Sequence, residues 1–174
     1  LNNRMEKLYN KEQDLIKNNN QNQNSNSINS FTNIKIDSQN NIYCLGTYIN
    51  SFAYGSTVLE QPPSDVFSIN HFVCKFLADH TESWIIDMSN YTVTDMHIDA
   101  SDTVYFATTY SETIPIEFNN GLINNLPSVT DFANDSAIFK IDSNKNYISS
   151  FPLYGDGDQS VSKFTISSIN SIRV

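Results

Sequence analysis

The chain has 174 residues and an acidic balance, with a formal net charge of −9 and a pI of about 4.5. Such a chain repels phosphate groups and offers no basic patch to release their counterions, so we expect no binding to nucleic acid or to an anionic membrane. The length suffices for an ordinary hydrophobic core without disulfides. Phe and Tyr, with 11 and 9 copies, far outnumber the single Trp, and this balance favours strands over helices.

The N-terminal region differs in composition from the rest of the chain. Residues 1–17 carry apolar side chains about three and four positions apart, which predicts a short amphipathic helix. Residues 18–30 form a tract rich in Asn and Gln that has too little apolar surface to offset the entropy of ordering it. We therefore predict a linker at 18–30. The helix before it either docks on the following domain, belongs to a preceding domain or is a frayed tail.

From Phe31 onward the sequence repeats itself. The stretch IKIDSQNNIYCLGTY returns as MHIDASDTVYFATTY without a gap, at an offset of 62 residues that sets Ile36 on Ile98. A match of this kind indicates an internal repeat, in which Ile36 and Ile98 are expected to be equivalent buried residues. Short apolar alternations predict four antiparallel strands in each copy. The predicted strands are 33–37, 42–48, 71–77 and 83–87, then 95–99, 104–110, 136–142 and 146–152.

The repeat divides the chain after the linker into a first unit, a second unit and the beginning of a third. These are residues 31–93, 94–168 and 169–174. The third unit is inferred because IRV at the end of the chain follows INS much as IKI in the first copy follows FTN. Between the second and third strands of each copy lies a long polar connection that contains Pro, at 49–70 and 111–135, where variable function would be placed.

Three Asp residues follow predicted strands in the same local pattern, namely Asp37, Asp99 and Asp142. A side-chain carboxylate in this position accepts hydrogen bonds from backbone amides two residues further on. We therefore predict that these residues close tight turns rather than bind a ligand.

The two cysteines, Cys44 and Cys74, are too few for a disulfide framework. They align with Phe106 and Phe139 of the second copy, which indicates apolar packing positions. A free cysteine behaves as a small hydrophobic residue, so we interpret both as buried thiols, with a cross-strand disulfide as the alternative. A metal centre would need further Cys or His at ligand spacing, which the sequence lacks.

The order of elements in each copy resembles a blade of a β-propeller. In the second copy AIFKIDSNKNYISSFPLYGDGDQSV, followed by SSINSIRV, is similar to the SBBP (seven-bladed β-propeller) repeat, and NNIYCLGTY and DTVYFATTY match its next strand pair. Blades of the NHL type share that last element and are a close second. The turn Gly of the family is Asn40 or Asp102 here, and a strand-end Gly is Thr108.

This resemblance implies an all-β fold with two four-stranded antiparallel blades and the start of a third. It also implies a non-catalytic structural or protein-interaction scaffold without a cofactor, secreted, on a cell surface or in a virion. Two blades and a fraction cannot close a ring of about four to eight blades. We therefore expect a part of a larger propeller or assembly, with protein partners or other copies of the chain bound through blade edges.

Two other functions remain open from the sequence, a carbohydrate-binding propeller closed by oligomerisation and the propeller domain of a larger secreted hydrolase. Aromatic side chains in the loops favour the first, because they could stack on sugar rings, although they could equally fill space between blades. These residues are Phe52, Tyr54, Phe118 and Tyr154.

Candidate metal ligands and catalytic groups are weaker. Asp156 and Asp158 resemble the start of a calcium loop, but Val161 and Ser167 stand where Gly and Glu would be needed. Three histidines are scattered and are interpreted as structural or solvent-facing, namely His71, His80 and His97. Three carboxylates in or beside the second long connection could in principle serve glycoside chemistry, namely Glu112, Glu117 and Asp131. No nucleophile-elbow, HExxH or P-loop motif is present, so we predict no catalytic residue.

Overall fold

The computed structural model describes residues 28–61, 68–111, 115–123, 126–127, 133–167 and 171–174. The helix predicted at 1–17 and most of the linker predicted at 18–30 lie outside these ranges. Residues 28–30 belong to the first strand, so the strand begins inside the predicted linker. Every regular element of the described residues is a strand. Within the same ranges there is no helix with the length and apolar character needed to cross a membrane.

The first half of the chain forms a four-stranded antiparallel sheet with an inserted hairpin. Its strands are β1 (Ile28–Ile36), β2 (Ile42–Ile49), β3 (Ser51–Tyr54), β4 (Thr57–Glu60), β5 (Asn70–Phe76) and β6 (Glu82–Asp87). The order in the sheet is β1-β2-β5-β6, and within the described residues β3 pairs with β4 alone. The first sheet is thus a simple meander, with the β3–β4 hairpin placed in the long connection.

The second half repeats this arrangement. Its strands are β7 (Thr92–Ile98), β8 (Val104–Tyr110), β9 (Ile116–Phe118), β10 (Gly121–Ile123), β11 (Asp135–Ile141) and β12 (Tyr147–Leu153). The second sheet has the order β12-β11-β8-β7, and β9 pairs with β10 as a second inserted hairpin. Both sheets have the form of propeller blades, which confirms the predicted all-β antiparallel fold, although the described residues do not close a ring.

The predicted strands are all present, and only β1 and β7 differ by more than one residue at an end. Both begin earlier because the chain continues pairing beyond a β-bulge, which lies between Phe31 and Asn33 in β1 and between Val93 and Asp95 in β7. A bulge interrupts the alternation of side chains between faces and so hides the start of a strand from a periodicity argument. The two inserted hairpins were not predicted, because their strands are only three or four residues long.

The predicted Asp turns are confirmed. The Oδ1 atom of Asp37 accepts hydrogen bonds from the N–H groups of Gln39 and Asn41 at 2.9 and 2.8 Å. Asp99 and Asp142 accept the equivalent pairs of bonds at 2.8 to 3.0 Å. Each carboxylate therefore closes its own turn through two backbone donors.

The four turns that join sequential, paired strands of the two four-stranded sheets each place a residue other than Gly in the left-handed region of φ, namely Asn40 (66°), His80 (71°), Asp102 (59°) and Lys145 (67°). Asn40 and Asp102 have short polar side chains, which tolerate this conformation. His80 and Lys145 gain no such local advantage.

We expect His80→Gly to stabilise the protein by about 0.5–1 kcal/mol, because Gly adopts a positive φ without the contact between Cβ and the carbonyl oxygen. His80 is exposed, and its own N–H group already bonds to the carbonyl of Leu77 at 2.9 Å. Thermal and urea unfolding measure the gain. Lys145→Gly is the matched control, since the φ is similar but the Nζ atom of Lys145 bonds to the carbonyl of Ile85 at 3.1 Å and that bond would be lost. Equal gains for both variants would contradict this account.

The third unit begins one strand earlier than the sequence indicated. The last two strands are β13 (Thr165–Ile166) and β14 (Ile172–Arg173). Ile166 lies opposite Ile172 in the register that also joins β1 to β2 and β7 to β8. Ser167 replaces the turn Asp, since its Oγ atom accepts a bond from the N–H of Ser171 at 3.1 Å. Residues 169–174, assigned from the sequence to a first strand, therefore contain the start of the second, because a three-residue match was too short to set the register.

The sheets pack face to face in series. The largest core cluster lies between the first and second sheets, and a separate cluster lies on the outer face of each. The β3–β4 hairpin covers the outer face of the first sheet, and β13 and β14 cover part of the outer face of the second. β1 runs beside β7, so the first strands of the two sheets meet at an inner edge. Ile36 and Ile98 occupy equivalent register positions, but both are only half-buried, so the expectation of full burial was wrong.

Candidate functional site

Three of the four aromatic residues predicted to bind a sugar are buried. Phe52, Tyr54 and Phe118 are 0, 5 and 2 % exposed, whereas Tyr154 is 64 % exposed. The ring of Phe52 stacks on that of Phe72 with a centroid distance of 4.0 Å. These three rings present no face to a sugar and fill space in the core, which was the alternative interpretation of the sequence.

The buried aromatic residues attach the inserted hairpins to their sheets. The hydroxyl of Tyr54 donates to the carbonyl of Lys75 and accepts from the N–H of Ser83 at 2.7 Å, and burial raises its pKa. In the second sheet Phe118 packs near Tyr147 with a ring-centroid distance of 5.6 Å. Each hairpin thus folds back along its own sheet as far as the turn between the third and fourth strands.

The possible calcium loop has a structural explanation. The Oδ1 atom of Asp158 accepts bonds from the N–H of Asn134 at 2.8 Å and from its Nδ2 atom at 3.2 Å. Asp156 is exposed. Among the described residues, no three His, Cys, Asp or Glu side chains are grouped so that they could hold a metal ion. Asp158 therefore fastens the loop after β12 to the residue that precedes β11.

The remaining predicted groups are dispersed. His71 is half-buried in β5, where burial lowers its pKa, His80 lies in a turn and His97 in β7. Glu117 is exposed on β9. Glu112 and Asp131 lie outside the described residues, so the possible carboxylate pair stays a prediction.

Cys44 lies directly opposite Cys74 on β2 and β5, and both side chains are fully buried free thiols. Burial raises the pKa of the Cys74 thiol. At the equivalent positions of the second sheet, Phe106 stacks on Phe139 with a centroid distance of 5.3 Å and an interplanar angle of 17°. The two pairs are alternative ways to fill the centre of a sheet face.

A polar joint that sequence analysis missed lies at the inner edge, where three equivalent positions of the repeat meet, two within the first strands and one just before β13. These positions are Asn33, Asp95 and Lys163. The carboxylate of Asp95 is 3 % exposed and accepts a bond from the Nδ2 atom of Asn33 at 2.9 Å. It also lies 3.4 Å from the Nζ atom of Lys163 and accepts from the N–H of Phe164 at 3.3 Å. One buried carboxylate therefore contacts the units before and after its own.

The signal for this joint was present in the repeat. The offset that sets Ile36 on Ile98 also sets Asn33 on Asp95, and the corrected third copy sets Lys163 at the same distance before Ile166. A polar residue within an alternating strand, however, is indistinguishable from a solvent-facing one. The bulges in β1 and β7 turn these side chains toward the neighbouring unit.

A second joint between the two sheets involves Lys75, which is buried with 5 % exposure. Its Nζ atom donates to the carbonyl of Ser143 in the second sheet at 2.9 Å and lies 5.2 Å from the ring centroid of Tyr43. The Nε1 atom of Trp84 donates to the same carbonyl at 3.1 Å. Burial lowers the pKa of Lys75, and nearby Asp carboxylates, chiefly Asp37, oppose that shift. Two side chains of the first sheet thus bind one turn of the second sheet through the same carbonyl oxygen.

An open groove of about 530 Å³ runs along the outer edge of β6, between the two inserted hairpins. Its walls include Leu59 from one hairpin and Glu117 from the other, with Asp87 and Lys145 beside them. The Lys145 amine is bound to the carbonyl of Ile85 at 3.1 Å, which occupies one acceptor of the strand edge. The groove is polar, and the two inserted hairpins that flank it differ from each other in sequence.

The geometry as a whole consists of repeated sheets that are joined to one another at repeated positions. Buried side chains at these positions serve packing and turn closure, and the surface that varies is formed by the hairpins. Comparison of the chain with protein-family models, with curated proteins and with solved structures found no match.

Proposed function

We propose that the chain is a non-catalytic β-propeller repeat module of the SBBP type, which acts as a structural or protein-interaction scaffold within a larger propeller or assembly. The observation that carries this proposal is the joint at Asp95. The same carboxylate binds Asn33 of the unit before it and Phe164 of the unit after it. A side chain that links its own unit to the unit before it and to the unit after it is what a stacked array of repeats requires.

The division between constant and variable parts supports the same proposal. The Asp turns recur in both sheets, and so does the hydrogen bond from a strand Tyr to a turn Asp, at 3.2 Å for Tyr43 to Asp37 and 3.1 Å for Tyr105 to Asp99. The inserted hairpins differ in sequence and flank the open groove. Scaffolds commonly bind partners through loops that a rigid framework positions. Fold alone does not assign an activity, and we therefore propose no reaction.

We do not extend the proposal to carbohydrate binding, because three of the four rings that motivated it are buried. Tyr154 is the one exposed ring of that set, and a single ring offers no platform for more than one sugar contact. The hydrolase domain likewise has no specific observation in its favour.

Light scattering on residues 1–174 over a range of protein concentrations tests the scaffold proposal. We expect the mean mass to rise with concentration, because open sheet edges and exposed apolar side chains favour association. A fixed small oligomer would also support the proposal and would indicate that copies of the chain close the ring. A chain that stays a monodisperse monomer at every concentration would contradict a role in a larger assembly.

A further inference from the structure

Large apolar side chains are exposed on β12, at positions whose repeat equivalents are buried. Phe151 and Leu153 are 46 and 37 % exposed. Their equivalents in the first sheet, Ile86 and Met88, are 1 and 0 % exposed and belong to the core between the two sheets. Equivalent positions of the repeat are therefore buried between two sheets in the first unit and exposed to solvent in the second.

The equivalence follows from the strand register. Val73 lies opposite Ile86 in the first sheet, and Ile138 lies opposite Phe151 in the second. Both pairs are related by the offset that sets Lys75 on Lys140. Two residues further along, the same offset sets Met88 on Leu153.

The two faces differ because, among the described residues, only the first is fully covered. The second sheet packs across the whole inner face of the first, including its outermost strand β6. On the second sheet, the third unit covers only the half formed by β8 and β11. The side chains in that contact are Val161, Phe164, Ile166 and Ile172, packed on Tyr105, Ala107 and Ile138.

A lysine marks the same difference. Lys75 crosses from the first sheet to the carbonyl of Ser143 in a turn of the second. Lys75 also lies over the ring of Tyr43 in its own sheet, at 5.2 Å from the centroid. Its equivalent, Lys140, lies in the same way over the equivalent ring of Tyr105, at 5.3 Å. Lys140 therefore points along the surface where the turn of a following sheet would come within its reach.

We propose that the outer half of the second sheet, defined by Lys140, Phe151 and Leu153, is the docking surface for the third and fourth strands of a third sheet of this repeat. β13 and β14 are the first two strands of that sheet. The occupant is a pair of antiparallel strands that adds to the edge of β14 opposite β13, which no described strand pairs with, and that places apolar side chains on Phe151 and Leu153. The inference rests on the proposed scaffold function and names the partner of one surface.

A second copy of the chain fits this surface less well. β13 and β14 already cover β8 and β11 on the outer face of the second sheet. The first sheet of another copy therefore could not pack across that whole face, as the second sheet packs across the first. A strand pair that extends β14 avoids this overlap and continues the interface already formed between the first two sheets.

The test is a graft that supplies the missing strands from the chain itself. Because Ile172 is equivalent to Val104, Val174 is equivalent to Phe106, and appending a copy of residues 107–153 after Val174 completes a third sheet. Leu153→Lys, made only at its natural position, is then compared in the parent chain and in the grafted chain. Met88→Lys in the parent chain is the matched control for a covered position.

We expect Leu153→Lys to leave the thermal midpoint of the parent chain nearly unchanged and to lower that of the grafted chain by about 5 °C or more, since it then places a charge in an interface. Met88→Lys should lower the parent midpoint by at least as much. The parent should also bind the dye bis-ANS, and Phe151→Lys with Leu153→Lys should remove most of that signal. A grafted chain that stays partly unfolded, or in which Leu153→Lys has no effect, would overturn the proposal.

The parent chain gives two further decisive outcomes. A discrete dimer that Leu153→Lys converts to a monomer would mean that a second copy occupies the surface and would overturn the proposal. A parent chain destabilised by Leu153→Lys as strongly as by Met88→Lys would mean that the surface is already covered. If the graft gives one of the contradicting results while the mass of the parent chain still rises with concentration, only the proposed docking surface is wrong. If the parent chain stays a monodisperse monomer, the proposed scaffold function itself is contradicted.

Discussion

Gly46→Thr is expected to destabilise the protein by about 3 kcal/mol or more, because the added side chain has no space. A Cβ atom at Gly46 would lie 2.4 Å from the Cζ atom of Phe72 and 2.7 Å from the carbonyl oxygen of Ser30. The ring of Phe72 is fixed by its stack on Phe52, and the carbonyl belongs to the neighbouring strand. Urea unfolding measures the loss.

The second sheet shows how the same position accepts Thr. Thr108 is the equivalent of Gly46, and it lies opposite Ala137, whereas Gly46 lies opposite Phe72. Thr108 is fully buried, and its Oγ1 atom donates to the carbonyl of Ala137 at 3.3 Å. The first sheet therefore pairs a small residue on the second strand with a large one on the third, Gly46 with Phe72. The second sheet pairs a larger residue with a small one, Thr108 with Ala137.

A double-mutant cycle separates this compensation from general tolerance. Phe72→Ala alone should cost about 3–5 kcal/mol by opening a cavity. Gly46→Thr combined with Phe72→Ala should cost clearly less free energy of unfolding than the sum of the two single changes. The smaller Ala side chain relieves the clash with Thr, and the Thr side chain fills part of the cavity. Gly155→Ala, where the nearest atom to an added Cβ is 3.8 Å away, is the near-neutral control. Additive losses would contradict the volume exchange.

Asp95→Ala should be the most damaging change at the inner edge, at about 2–4 kcal/mol, because it leaves the Asn33 amide and the Phe164 N–H without their buried acceptor. Lys163 contributes little to this cost, since its side chain is 76 % exposed and its amine returns to water. Lys163→Ala is therefore expected within about 0.5 kcal/mol of the parent. Chemical unfolding gives these differences.

Local measurements can show that Asp95 joins the units rather than only supporting its own strand. Asp95→Ala should raise amide hydrogen exchange in β13 and at Phe164 more than in β11, which is separated from the strand of Asp95 by β8. Equal acceleration throughout the second sheet would indicate a general loss of stability instead. If Asp95→Ala were as stable as the parent, the Asp95 joint would not contribute to holding the units together.

The strand plan was predictable from sequence because its causes are local. Alternation of apolar residues places each strand, and a carboxylate such as that of Asp37 closes its turn with donors only two and four residues away. The internal repeat then confirmed each element by finding it twice. The same local reasoning failed at the β3–β4 hairpin, whose strands are too short for a pattern, and at β13, where Ser167 replaces the turn Asp.

The amino-acid sequence by itself determined the repeat, the antiparallel all-β class and the chemistry of the turns. Only the tertiary structure decided that Phe52, Tyr54 and Phe118 are core residues, that Asp95 joins three units and that Phe151 is open surface. These properties depend on which sheet faces meet, and the groups in contact are separated by tens of residues along the chain. An apolar residue at a given position of the strand pattern looks the same in the sequence in both cases. The next sheet covers Ile86 and leaves Phe151 exposed, and only the tertiary structure shows this difference.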